Sequence, residues 1–291
     1  VNPLIEASWV PALGAPLGAK WPEHLALAAA EALGIFNVRA YGAEGDNSTD
    51  DDDAVADTIA AAIANGGGVV YFPPGQYRLT DEVAITVAGS QSIVLKGEGS
   101  AVSKLSFYSQ NGLGVHYHST AVSGLIPLFH VQGISILTSR QRAGTAITAE
   151  WELGTVQRTC VGEDVFIGAD ATRDSDQGGG QLGFWTDGVV LPDAPNWSLS
   201  QFEFFGDVIS ASTADNLRSQ YGVRLLGNCT GGKLYDFIIA ECITGVSVGG
   251  TTEGVFIAKF EIVFVRYGIR HDTLGEPICD VQHGHINASN V

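Results

Sequence analysis

No methionine occurs anywhere in the 291 residues, not even at position 1, so the chain is expected to be a processed or excised piece of a longer one. Basic residues are scarce: 15 Lys and Arg stand against 32 Asp and Glu, a formal charge of −17. That balance argues against nucleic acid or an anionic membrane surface as a partner. Long apolar runs are missing too. The longest, Val255 to Ile269, is broken by Lys259, Glu261 and Arg266 and falls short of the ~18 uninterrupted apolar residues of a spanning helix, so no membrane insertion is expected. No basic segment followed by an apolar one opens the chain, so no signal peptide is visible. The four cysteines, Cys160, Cys229, Cys242 and Cys279, lack metal-ligand or redox spacing, and Cys242 lies in an apolar run as a buried free thiol would. The run Asp50 to Asp53 lacks the alternating ligands and glycine of a calcium loop. No metal site and no cofactor is expected.

What is present points to an all-β protein. The chain is 45% hydrophobic but only 16% charged, enough to bury a large core, and its 37 glycines suit many turns. One stretch carries most of the information. Phe36-Asn37-Val38-Arg39-Ala40-Tyr41-Gly42 reads as a strand, followed by an acidic turn. Thr49 or Asp50 is placed to cap a helix over about residues 51–64. Val55, Ile59 and Ile63 give that helix one narrow apolar face. Gly66 to Gly68 end it, Val69 to Phe72 form a strand, and Pro73-Pro74-Gly75 closes the strand with a turn.

This opening resembles that of the pectate-lyase-like right-handed parallel β-helix proteins, departing from the family pattern at Asn47 and in the four consecutive aspartates. The resemblance covers about residues 36–79. It implies a β-solenoid whose first coil is capped by the short helix, because that coil otherwise exposes apolar core and unpaired backbone. It specifies a fold far better than a reaction, since the family includes lyases, hydrolases, epimerases, transferases and phage tailspikes. Residues 36–291 are expected to form the β-helix, of roughly ten coils. Residues 1–35 are a Pro-, Gly- and Ala-rich arm with a short helix from Trp21-Pro22, comparable to the connectors of phage tail proteins.

A period supports the solenoid independently. Gly222-Val223, Gly245-Val246 and Gly268-Ile269 recur every 23 residues and start alternating strands, so Val223, Val246 and Ile269 are expected to stack in one inward column. Gly188-Val189 and Gly144-Thr145 look like the same strand in earlier coils. Polar insertions at Gly168 to Leu182 and Ala211 to Gln220 are expected to be side loops, the usual walls of a groove on such a scaffold.

Polysaccharide cleavage calls for a carboxylate pair in a hydrolase, or a base with a cationic clamp in a lyase. Counting from the coil glycines places Glu203 beside Asp236 and Asp207 beside Glu241, at like offsets in adjacent coils about 4.8 Å apart. These four are the candidate catalytic residues. Trp185 and Trp197 are candidate sugar platforms, with Trp151 a further aromatic of the same kind. Lys259, Arg270 and His283 are candidate substrate ligands among the few basic residues of the last coils. His283-Gly284-His285 inverts the Gly-His-Gly of polygalacturonases, and the Asp-Pro-His-Glu of alginate epimerases is absent, so neither assignment is made.

Together these features lead to an extracellular, carbohydrate-recognising β-helix. The expected setting is a phage tailspike or tail fibre that binds and depolymerises bacterial surface polysaccharide, as a homotrimer in contact with other tail proteins. A secreted bacterial polysaccharide lyase or glycoside hydrolase, and a non-catalytic structural tail component, are the alternatives. Val291 falls at the end of a coil without a polar cap, so further sequence or a partner chain is expected to cover it.

Overall fold

The computed structural model describes residues 30–118, 127–140, 142–152, 159–170, 183–206, 218–274 and 279–288. Most of the expected helix from Trp21 to about Leu33, most of both side loops and the arm ahead of residue 30 lie outside the described residues; the end of that helix, residues 30–32, is described and is helical.

The opening motif folds as a strand, a tight turn, an edge strand and a helix. Strand β1 (Ile35–Asn37) is shorter than its alternation suggests, because the Asn37 side chain accepts from the Arg39 amide and turns the chain into a 3-10 segment at Val38–Tyr41. Gly42, at φ 108°, ends that segment in a conformation a side chain would strain. Strand β2 (Asp46–Asp50) follows, then helix α1 (Asp52–Ala64), which buries Val55, Ile59 and Ala62 against the first coil.

The helix starts differently from the expectation. Its N-cap is Asp51, not Thr49 or Asp50. The Asp51 carboxylate does not cap; it accepts from the backbone amides of Glu44 at 2.7 Å, Gly45 at 3.3 Å and Arg78 at 3.2 Å, tying the turn, the helix start and the next coil together. Asp52 reaches Thr80 in the same way, and Thr49 spends its hydroxyl on Glu44 and Asp46.

The rest is a stack of parallel strands. One sheet begins β1, β3 (Gly67–Phe72), β6 (Ser92–Gly97), and the second opening row is β2, β4 (Gly75–Leu79), β7 (Ser103–Phe107). The two rows merge on β9 (Phe129–Thr138), whose first half pairs with β6 and whose second half pairs with β7. The merged sheet continues through β11 (Cys160–Ala169), β13 (Ser198–Phe205), β15 (Lys233–Ala240), β17 (Val255–Val265) and β19 (Cys279–Ala288). The other sheet runs β5 (Val83–Val87), β8 (Leu113–Tyr117), β10 (Ala143–Trp151), β12 (Trp185–Leu191), β14 (Tyr221–Leu225), β16 (Thr244–Val248) and β18 (Tyr267–His271). The fold is a right-handed parallel β-helix capped by one short helix, the architecture the motif implied.

The inward column holds as expected: Val223 pairs with Val246, and Val246 with Ile269, Val223 and Val246 being fully buried. The upstream alignment is corrected at one point. Thr145 pairs with Asp187 and Ile147 with Val189, so Ala146, not Gly144, occupies the level of Gly188. Nine rungs of the longer sheet are described, against the roughly ten coils expected. No described helix is long and apolar enough to cross a membrane.

Candidate functional site

From β9 onward every long strand bends near its middle at a residue with positive φ. These are Gly133 (φ 65°), Asp164 (52°), Gln201 (49°), Asp236 (56°), Lys259 (52°) and His283 (51°). The pairing registers on either side of the bend place all six at one level, one above another. For an L-residue this conformation costs roughly 1–2 kcal/mol, so five non-glycine instances in a column need support from their neighbours. The next residue inward supplies it. Phe202, Phe237 and Phe260 fill the inside of the corner, and the last two stack with centroids 5.4 Å apart.

Outside the corner lies a groove of about 920 Å³ running across these rungs. It is lined by the carboxylates of Glu98, Glu163, Asp164, Glu203, Asp236 and Glu261, with Lys96, Lys259 and His283 as the basic residues.

Four of the six carboxylates are engaged. Glu98 accepts from the Tyr71 hydroxyl at 2.7 Å, and that bond pushes the tyrosine pKa up to about 12. Glu163 lies within 3.4 Å of the Gln132 amide, Asp164 accepts from the Ser100 hydroxyl at 2.7 Å, and Glu261 lies 3.7 Å from His285. Glu203 and Asp236 differ: among the described residues neither side chain makes a hydrogen bond or ion pair, nor does Lys259 or His283. All four are exposed in the groove.

The structure therefore brings together Glu203, Asp236, Lys259 and His283 of the sequence candidates. The alignment behind the first pair needs correction, however: Asp236 lies level with Gln201, and Glu203 with Ile238. The turn before β13 has six residues and that before β15 has seven, so counting from the glycines slips by one. Glu241 sits at a second positive-φ position beyond β15, outside the groove lining. Asp207 lies outside the described residues.

The aromatic platforms are corrected. Trp185 is fully buried, donates its indole N–H to the Ile136 carbonyl at 3.3 Å and meets Phe107 edge-on. Trp197, 1% exposed, donates to the Cys229 carbonyl and lies so close over Gly232 that a Cβ there would be 2.2 Å from the indole. Trp151 is buried as well. A large apolar ring with one satisfied donor is worth more to the core than to solvent, and none of the three reaches the groove. Arg270 is on β18, in the other sheet, where it pairs with Asp272 at 2.9 Å. Sequence reasoning missed Lys96, Glu98, Glu163, Asp164 and Glu261. Adjacent Glu163-Asp164 was visible, but only the bend turns both toward one groove.

Comparison with known proteins agrees with the fold. A family model described as rhamnogalacturonase A/epimerase, pectate lyase-like, matches residues 35–125. Alginate lyase 7 of Azotobacter vinelandii is 44% identical over 75 residues, 24% of this chain and 9% of that protein. Mannuronan C5-epimerase AlgE3 of the same organism is 40% identical over 86 residues, 28% of this chain and 5% of its own length. Rhamnogalacturonase A of Aspergillus aculeatus is 43% identical over 61 residues, 21% of this chain and 13% of that enzyme. The chain thus spans under a tenth of the length of the first two. Among solved structures, the catalytic unit of a GH87 α-1,3-glucanase from Streptomyces thermodiastaticus aligns with TM-score 0.40 at 16% identity, covering 86% of this chain and 54% of that one. The pre-mature gene product 12 of bacteriophage phi29 aligns with TM-score 0.43 at 13% identity, covering 86% and 36%. Opening motif, family match and strand topology agree: residues 35–125 resemble the pectate-lyase-like family, and the chain folds as a parallel β-helix.

Proposed function

We propose that the corner groove binds a polysaccharide and that Glu203 and Asp236 hydrolyse it as a carboxylate pair. The observation that carries this reading is their uncommitted state: of six groove carboxylates, these two alone have no partner among the described residues. They sit one rung and two residues apart. A rung spacing of about 4.8 Å and a strand advance of about 6.6 Å separate their backbone positions by about 8 Å. A backbone separation of that size is compatible with the ~6.5–9.5 Å between carboxyl groups that leaves room for a water between acid and base, the arrangement of inverting hydrolysis. One carboxyl group would protonate the leaving oxygen while the other takes a proton from the attacking water. Lys259, on the rung beyond Asp236, and His283 beyond it are placed to hold sugar hydroxyls.

Charge selects among substrates. Six carboxylates face two lysines in the groove, which favours a neutral or amino-bearing glycan over a polyuronate. The alginate and rhamnogalacturonan names of the relatives do not bear on this choice, because the family match ends at residue 125 and only Lys96 to Gly99 of the groove lie within it.

The test is incubation of the full chain with neutral and acidic bacterial surface polysaccharides, assayed for new reducing ends and for unsaturated uronate products. Reducing ends of inverted configuration are expected from a neutral glycan, with Glu203→Gln and Asp236→Asn each losing ~10²–10⁴-fold in rate. Unsaturated products, or full activity in both variants, would overturn the assignment.

The same reading places the protein outside the cell, as a phage tail component or a secreted enzyme. The Pro- and Gly-rich arm ahead of the opening motif supports the tail setting. There, three copies side by side would bury one face of each solenoid in a closed ring. Mass in dilute solution separates that trimer from a monomer.

A further inference from the structure

On the outward face of the other sheet, sharing no residue with the groove, His116 and His118 of β8 meet Glu152, which directly follows β10. His116 Nε2 lies 2.8 Å from Glu152 Oε1, and His118 Nδ1 lies 3.1 Å from the same oxygen. The two imidazole centroids are 4.2 Å apart, and one ligand atom from each of the three residues falls within 4.8 Å of the others. We infer that these three side chains bind a divalent transition-metal ion, zinc by preference.

Three arguments lead there. The first concerns His116 Nε2, which is buried yet makes no hydrogen bond despite its 2.8 Å approach to the carboxylate. The in-plane direction at Nε2, which carries either a ring proton or a lone pair, points off the line to that oxygen, so the close approach is not made by a hydrogen bond. A cation placed off the line between the two atoms meets no such restriction.

The second is donor chemistry. Two imidazole nitrogens and one carboxylate oxygen form the donor set of zinc sites that keep a position open, whereas calcium and magnesium select all-oxygen sets. Zinc bonds of ~2.0–2.2 Å place tetrahedral ligand atoms about 3.3 Å apart, so the carboxylate oxygen moves back a few tenths of an ångström and the two nitrogens, which lie within 4.8 Å of each other, close by up to about 1.5 Å through side-chain rotation.

The third is preorganisation. Between the two histidines Tyr117 points inward and stacks on Trp151, with centroids 4.8 Å apart and planes 7° from parallel. The Glu152 amide donates to the Tyr117 carbonyl at 3.1 Å and the His118 amide to the Val87 carbonyl at 2.9 Å. The ligands are thus held from behind by core packing and by the ladder on both sides. The side chains of all three are about one-third exposed, leaving the fourth coordination position open to water or a ligand oxygen.

The test uses the full chain freed of metal and titrated with zinc chloride by calorimetry, with calcium chloride in parallel. One zinc per chain is expected, with calcium at least tenfold weaker. His116→Asn/His118→Asn, and separately Glu152→Gln, should each weaken zinc at least tenfold, while His283→Asn/His285→Asn leaves it unchanged. Cobalt(II) added to the native protein should show the intense visible absorption of a four-coordinate site. All substituted side chains point outward, and circular dichroism checks that each variant folds; Glu152→Gln keeps the test intact if the double variant does not. Zinc binding that is absent, that survives these substitutions, or that calcium matches would overturn the inference.

Discussion

Phe237 stacks on Phe260 directly behind Asp236 and Lys259, with ring centroids 5.4 Å apart and planes 19° from parallel. Each ring follows its positive-φ residue in sequence, so the stack is the inner support of the corner on which the groove is built. Phe237→Ala should cost about 3–5 kcal/mol, as for other buried aromatic truncations. A urea transition monitored by tryptophan fluorescence would measure it, and a loss below about 1 kcal/mol would show that the corner does not depend on the stack.

Gln201 occupies the same left-handed level without an assigned chemical role. Gln201→Gly should be neutral or slightly stabilising, because relief of roughly 1–2 kcal/mol of backbone strain offsets the added freedom of the unfolded chain. Gln201→Val should be clearly destabilising, since a β-branched side chain tolerates positive φ poorly. Melting temperatures of the pair check this; equal values would contradict the geometry.

Asp51 is 1% exposed and accepts from three backbone amides. Asp51→Ala leaves those donors without their acceptor at about 1–3 kcal/mol each, so a loss of at least ~3 kcal/mol is expected. Hydrogen exchange should quicken first at Glu44, Gly45 and Arg78. Unchanged protection there would show that water replaces the carboxylate.

Asp187 supplies a pH dependence. Burial raises its pKa, Arg224 and the Tyr221 amide only partly opposing this, and its Oδ1 has no hydrogen-bond partner among the described residues. The native state therefore holds this proton more tightly than the unfolded chain does. The contribution is most favourable below the ordinary aspartate range and declines as pH rises from there through the raised native value, at no more than about 1.4 kcal/mol per pH unit. Asp187→Asn should remove that decline, gaining on the native protein at neutral pH relative to acid pH. Parallel urea midpoints across the range test it; identical profiles would refute it.

The fold was legible because its signals are local. The Phe36 to Tyr77 motif specifies a capped first coil, and the 23-residue spacing of Gly222, Gly245 and Gly268 sets the register of the last ones. The site was legible only in part, since it depends on turn lengths. One residue fewer in the turn before β13 moves Glu203 level with Ile238, which no count from Gly188 reveals. Nor does residue type mark the corner: aspartate, glutamine, lysine and histidine all occupy it, held there by position. Burial misled at Trp185 and Trp197, whose flanking strands offered either face. His116-x-His118 and Glu150-x-Glu152 alternate visibly, but their meeting requires knowing that β8 and β10 are neighbours.

The separation of β6 from β7 has a directional consequence. The segment joining them folds onto the corner at Gly133, where a Cβ would lie 3.0 Å from the Gly99 nitrogen, and Ser100 is bound to Asp164 on the next rung. Among the described residues no such crossing occurs at Lys259 or His283, so the described groove is closed on the Gly99 side. Glu203 and Asp236 lie one and two rungs from Asp164, about 5–10 Å along the axis. On the proposed reading, a glycan in the groove would therefore stop at Gly99 and Ser100 and meet the carboxylates within two rungs of that stop.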